Sequence, residues 1–355
     1  MKGYSYQEVE TREELVDRTK GIFRDASFEI TAEDRRSASL DFIAQREAQR
    51  LLIKVHLNID AFKQSHSLEI NLLATILSGT GLLVGERRNK VTKMEDLVIY
   101  ERHGVPTINL STLNYLLCHN AQLEVCAKRG GLYVQINPQK LKEAREQRQL
   151  SIQFLAEYLD KSPRTIYLYE KGLISPSKED AEKLKVLFKD DTSFIEPIEV
   201  IRKQSPEKIS EIIPDLLRSQ KFRSPKNSLQ EDVNEHLKNL GMNVLWMRSL
   251  PFDAMALVKD KQFTSYSPVI AGVSSDIVKD SVQRRIIITN KILSLLHSDS
   301  IWIHEDDDDS DTILLRANRI PFLSFEEFEN IEALKELFKI LRRKKTEYES
   351  RGSSV

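Results

Sequence analysis

The sequence predicts a multidomain protein in which two α/β modules flank an all-α central domain. The chain has 355 residues, too many for one average domain and enough for two or three separate cores. Residues 138–190 divide into short capped helices, whereas the segments on either side alternate apolar strand-like runs with helical ones. Two stretches, DLVIYERHGVPTINLSTL and DTILLRANRIPFLSFEEF, align without a gap, setting Asp96 on Asp311 and Pro106 on Pro321. The outer modules therefore read as copies of one another. The expected boundaries are 1–137, 138–190, a linker with a short helix at 191–227, and 228–345.

In the first module a helix is expected over 6–20, then strands in SLDFIAQR and RLLIKVHL, a helix over about 62–78, and strands in GLLVG and EDLVIYER. HGVPTINLSTLNYLL follows as an extended residue before proline, then an Asn or Ser that can cap a helix. GGLYVQIN is one more strand, leading straight into the central domain.

There the first helix, about 139–148, turns Leu141 and Ala144 inward. Ser151 caps the second, whose inner face is Ile152, Leu155, Ala156 and Leu159. Ala156 keeps the side chain small where two helices cross closely. Asp160 ends that helix in a left-handed turn, which its short polar side chain tolerates. Ser162 caps the third helix, Pro163 takes its first position, and Gly172 stops it. With Ile166 and Tyr169 turned inward, Pro163, Arg164, Thr165, Tyr167 and Leu168 face outward, as the reading positions of a recognition helix do.

Beyond the prolines of the connector, helices are expected at 206–220 and 228–240, a strand pair in NVLWMRSLPFDAMALVKD, a strand in YSPVIAGVSS, and a helix over about 278–296. Asp306 to Asp309 reads as an exposed turn, since four consecutive Asp lack the spaced ligands of a calcium loop. The basic residues Arg218, Lys221, Arg223, Lys226 and Arg342 to Lys345 read as solvated faces before they read as phosphate contacts.

The run AREQRQLSIQFLAEYLDKSPRTIYLYEKGLISPS resembles the Cro/repressor type of helix-turn-helix domain. The resemblance implies duplex-DNA binding and an ion pair between Arg145 and Glu170. It implies DNA contacts from Arg164, Thr165 and Tyr167, with Ser162, Lys161 and Lys171 beside them, and Ala156 and Ile166 as supports. Two positions depart from the pattern, Ile152 where Gln is usual and Asp160 where Gly is usual. Gln153, next door, is a partial substitute for the lost phosphate contact.

The first module resembles the restriction-endonuclease-like fold, with Asp41 and Lys54 in LDFIAQREAQRLLIKV at the positions of its metal-binding acid and its lysine. Leu52 stands where a second acid belongs, and an aliphatic side chain cannot ligate Mg²⁺. Glu13, Glu14 or Glu69 could restore a ligand on folding. In the second copy Asp253 matches Asp41, and Ala271 or Gly272 falls at the lysine position. Both copies read as remnants suited to binding or dimerisation, and no catalytic set, metal or cofactor is expected. The whole layout resembles a family of archaeal helix-turn-helix transcriptional regulatory proteins, and that resemblance implies transcription control.

Composition narrows the alternatives. The chain has 53 basic and 54 acidic residues, so any DNA surface is local. Residues 138–190 hold 11 Lys or Arg against 9 Asp or Glu, an excess of two that gives one copy modest nonspecific affinity. A homodimer would double it and match a two-fold site. Cys118 and Cys126 are the only cysteines, too few for a disulfide framework, and are expected to pack on or near one helix in a reducing cytoplasm. No membrane segment is expected. The expected partners are double-stranded DNA, a second copy, and a component of the transcription machinery. The competing readings are a Mg²⁺-dependent nuclease or structure-selective DNA-processing protein using Asp41 and Lys54, and a protein-interaction scaffold built on the helical bundle.

Overall fold

Thr11 opens the first helix, α1 (Arg12–Asp25): its hydroxyl accepts the Glu14 N–H, and Glu13 and Glu14 sit in the first turn, where the helix dipole favours acids. A computed structural model describes residues 9–33, 37, 39–189, 192–201, 224–259, 266–275, 279–296, 299–305 and 318–351. It divides into two compact units, one of residues 1–27, 55–61 and 82–202, the other of 28–54, 62–81 and 203–355. The chain is thus multidomain and α/β with a helical segment. The expected helix at 206–220, the Asp306 to Asp309 tract and Asp311 lie outside the described residues.

The first unit contains α1, the end of β3 (Gln49–Asn58), and β4 (Thr80–Arg87), β5 (Val98–Arg102), β6 (Val105–Ile108), β7 (Val125–Lys128) and β8 (Gly131–Val134), in the order β3–β4–β6–β5–β7–β8. His103 and Gly104, at φ of 52° and 79°, make the two-residue turn that lets β5 and β6 pair antiparallel. Helix α3 (Leu110–Cys118) starts where Asn109 accepts the Thr112 N–H. Cys118 ends that helix and is exposed, whereas Cys126 lies in β7. The two cysteines therefore do not share a helix, a correction that follows from β7, an unanticipated strand that carries Cys126.

Four helices follow: α4 (Pro138–Gln147), α5 (Ile152–Leu159), α6 (Pro163–Glu170) and α7 (Lys178–Phe188). Their core of Leu141, Leu155, Leu159, Ile166, Leu184 and Phe188 continues into Val134 and Ile136 at the sheet edge. The returning chain closes on the same edge, where the Asn137 N–H donates to Phe194 O at 2.7 Å and the Val134 N–H to Pro176 O at 3.0 Å. The bundle thus enters and leaves at one anchored point.

In the second unit β1 (Glu29–Thr31), β2 (Phe42–Arg46) and the start of β3 form an antiparallel meander, followed by α2 (Gln64–Ile76). The same unit contains α8 (Ser228–Asn239), β9 (Asn243–Trp246), β10 (Ala254–Lys259), β11 (Tyr266–Ser274), α9 (Asp280–Leu296), β12 (Asp299–His304), β13 (Phe322–Ser324), α10 (Phe325–Glu329) and α11 (Leu334–Arg351). Its later sheet runs β13–β12–β11–β10–β9, antiparallel through β9, β10 and β11, and parallel from β11 to β13.

The order helix, three-strand meander, helix, strand occurs twice along the chain. The registers agree as well. Leu83 pairs with Thr107 in β4 and β6, and Trp302 pairs with Phe322 in β12 and β13, the pairing expected when Pro106 is set on Pro321. Asn109 and Ser324, at matching positions, each cap the helix that follows.

Candidate nucleic-acid interface

The crossing of α5 and α6 depends on short-range chemistry. Ser151 accepts the Phe154 N–H to start α5, and Asp160 ends it at φ 55°, ψ 49°, so the chain reverses without a glycine. Ser162 then accepts the Thr165 N–H, with Pro163 in the first turn of α6. Gly172, at φ 68°, ends the segment, and a Cβ there would meet the Pro138 ring at 2.8 Å. Ala156 and Ile166 are buried in the crossing.

Arg145 fastens α4 to the end of α6. Its Nε and Nη2 donate to the Glu170 carboxylate at 2.6 and 3.0 Å, and its Nη1 donates to Leu150 O at 2.9 Å. The two side chains are only 9% and 6% exposed. Hydrogen bonding to Glu170 raises the Arg145 pKa, so the guanidinium is always charged. On the other side, the buried Tyr169 hydroxyl donates to Asp180 Oδ2 at 3.0 Å, and burial, then the Asp180 charge, pushes this phenol up from its ordinary value.

These contacts leave the outer face of α6 free to present Arg164 and Tyr167, both exposed, with Thr165 half-buried between them. The Thr165 hydroxyl is 3.0 Å from that of Ser162, tying both to the helix start. Lys171 holds its ammonium 5.6 Å from the Tyr167 ring centre. Lys161 lies 3.5 Å from Asp180 Oδ1, and Gln153 donates to Glu157 Oε1 at 2.9 Å. The structure thus gathers Ser162, Arg164, Thr165, Tyr167 and Lys171 on α6 and its two caps, and gives Lys161 and Gln153 partners within the bundle. Among the basic groups of the α4 segment, Arg148 donates to the Leu187 carbonyl at 2.6 Å and to that of Phe188, closing the end of α7. Sequence reasoning passed over Phe154 and Tyr158, an exposed stacked pair on α5 whose i, i+4 spacing was the available signal.

The nuclease-like positions are closed. Lys54, 2% exposed, donates to Ser37 O at 2.7 Å and lies 3.3 Å from Asp41 Oδ2, which is itself fully buried. Leu52 fills the neighbouring acid position within the core. Glu69 accepts the Ser39 hydroxyl at 2.7 Å, the Ser249 N–H at 3.1 Å and the Arg248 N–H. Burial nevertheless raises its carboxyl above the usual range. Glu14 accepts from Arg18 at 2.6 Å. Among the described residues, no group of three or more His, Cys, Asp or Glu is arranged to hold a metal ion. A single acid locked to a lysine does not fit Mg²⁺.

When Asp253 is set on Asp41, strand register gives the position in the later sheet that falls on Lys54. Phe42 pairs with Ile53 and Ala254 with Ala271, so Lys54 corresponds to Gly272. A Cβ on Gly272 would lie 2.2 Å from the Trp302 ring, which lies over the strand there. Arg285 of α9 is the cation beside Asp253: it donates to Asp253 Oδ2 at 2.5 Å and to Pro251 O at 2.9 Å. Gln230 and the Val273 N–H also donate to Asp253.

Comparison with known proteins agrees with both halves of this geometry. Residues 12–123 match the PD-(D/E)XK superfamily domain, and residues 141–188 match the helix-turn-helix family. The likeness to archaeal proteins runs nearly the whole length of the chain. It is 27% identical over 336 residues to a Thermococcus kodakarensis protein, covering 95% of this chain and 97% of that one. A Pyrococcus horikoshii protein is 28% identical over 331 residues, 93% of this chain and 98% of its own. One from Methanothermobacter thermautotrophicus is 29% identical over 308 residues, 86% and 88% respectively. Each is named "Putative HTH-type transcriptional regulatory protein". No solved structure matches the chain.

Proposed function

We propose that this protein is a sequence-specific duplex-DNA-binding transcriptional regulator. The observation that carries the reading is α6, capped at Ser162 and fixed at its far end by Arg145, with Arg164 and Tyr167 exposed on the face opposite buried Ile166 and Tyr169. Arg164 and Thr165 read base edges in the major groove, and Tyr167 and Lys171 pack against the backbone beside them. The names given to the archaeal relatives support the same reading.

We infer that the later α/β segment is a second degenerate copy of the nuclease-like module, so that two such modules flank the reader. The repeated element order and the equivalent pairs Asp41 with Asp253 and Asn109 with Ser324 support this. Both modules serve as binding or dimerisation surfaces and do not cleave DNA: in the first, Lys54 and Asp41 are committed to each other and Leu52 replaces the acid, and in the second Gly272 takes the lysine position and Asp253 is bound by Arg285. The working species is a cytoplasmic homodimer placing two α6 helices on a two-fold site and meeting a component of the transcription machinery. Among the described residues, no helix is long and apolar enough to cross a membrane.

The test is a binding titration of Arg164→Ala on a selected duplex. Loss of a bidentate base contact weakens that site by about 1–3 kcal/mol and relaxes preference at one base position. Unchanged affinity and specificity would remove Arg164 from the reading surface.

A further inference from the structure

A cavity of about 860 Å³ opens beside Asp253 in the second unit. Its size falls within the range of small-molecule sites, roughly 300–1,000 Å³. One face of α9 forms a wall, contributing Ser281 from its first turn, then Arg284, Arg285, Ile288 and Lys291 at helical spacing. The turn from Met247 to Asp253 forms the facing wall.

The lining is strongly cationic. Lys226, Arg248, Arg284, Arg285 and Lys291 all border the space, against two carboxylates, Glu33 and Asp253. Asp253 is already answered by the Arg285 guanidinium, the Val273 N–H and the Gln230 amide. Glu33 is the remaining acid on the rim, so the charge that faces an incoming ligand is predominantly positive, from the exposed side chains of Arg248, Arg284 and Lys291. Between these cations the surface is aliphatic, with Leu250, Ile287 and Ile288 lining it and Ile287 40% exposed. Among the described residues Phe252 is the only aromatic in the lining and is 1% exposed, so the described lining offers no stacking platform for successive bases.

We propose that this cavity binds a small organic phosphate, with Arg248, Arg284 and Lys291 holding the phosphate and Leu250, Ile287 and Ile288 contacting its carbon body. All of its lining residues belong to the second unit, and none is a helix-turn-helix residue.

The test is calorimetric titration of the full-length protein with phenyl phosphate and with adenosine 5′-monophosphate, alongside inorganic phosphate, adenosine and a single-stranded oligonucleotide at fixed ionic strength. The expected result is saturable one-to-one binding by at least one organic phosphate, at least about tenfold tighter than inorganic phosphate or adenosine. The paired change Arg284→Glu with Lys291→Glu, on exposed positions of α9, should weaken that binding tenfold or more without changing tryptophan emission. No binding by either organic phosphate overturns the proposal, as does equal binding by inorganic phosphate. Retained affinity in the paired variant overturns the residue assignment. Binding by the oligonucleotide alone overturns the proposal in favour of a nucleic-acid track.

Discussion

Replacing Arg145 with alanine removes three hydrogen bonds from a guanidinium and leaves Glu170, whose side chain is 6% exposed in the intact pair, with no counter-charge from α4. The expected cost is about 3–5 kcal/mol, the range for breaking a buried pair from one side. Both tryptophans, Trp246 and Trp302, lie outside residues 138–190, so their emission does not report on this bundle. Amide hydrogen exchange does. At about 1.4 kcal/mol per factor of ten, α5 and α6 should exchange roughly two to four orders of magnitude faster in Arg145→Ala. Replacing both partners, Arg145→Met with Glu170→Leu, removes the stranded charge and should recover most of the protection. Exchange within about threefold of wild type in the single variant would refute the reasoning, as would a double variant no better than the single one.

Three further outcomes follow from the same geometry. Lys54→Ala should destabilise the second unit by about 3–5 kcal/mol in denaturant unfolding, because it strands buried Asp41, whereas a catalytic lysine would be replaceable at little cost. Gly272→Ala forces a Cβ to 2.2 Å from the Trp302 ring and should cost at least about 1–3 kcal/mol while shifting tryptophan emission; an unchanged spectrum would contradict the packing. The fold holds the Tyr169 proton more tightly than the unfolded chain does, so the associated stability is fully present below the ordinary phenol pKa of about 10 and is lost as pH rises beyond it. In Tyr169→Phe that alkaline loss should disappear, as measured by the difference between the two proteins' stabilities from pH 8 to 11.

The bundle was the most legible part of the sequence because its signals are local. Ser151, Ser162, Pro163 and Gly172 each state a boundary within a few residues, and the 3.6-residue period identifies the inner faces. The engagement of Lys161 and Tyr169 with Asp180 was not legible, since it depends on where α7 packs. In the α/β regions the apolar runs announced most strands, but β1 and β7 are short and only partly buried, so neither carries an apolar alternation. The resemblance to the restriction-endonuclease-like fold pointed to Asp41 and Lys54. That Lys54 bonds the Ser37 carbonyl, and that Arg285 reaches Asp253 from a helix, are tertiary facts with no sequence period behind them.

The most direct measurement is selection of binding sites from a randomised duplex library by the purified full-length protein, with Mg²⁺ absent. Recovery of one palindromic or paired motif, lost with Arg164→Ala, is the predicted result. No enrichment at low salt, where phosphate contacts are strongest, would contradict a DNA-reading role for α6 and turn the bundle into a protein-binding surface.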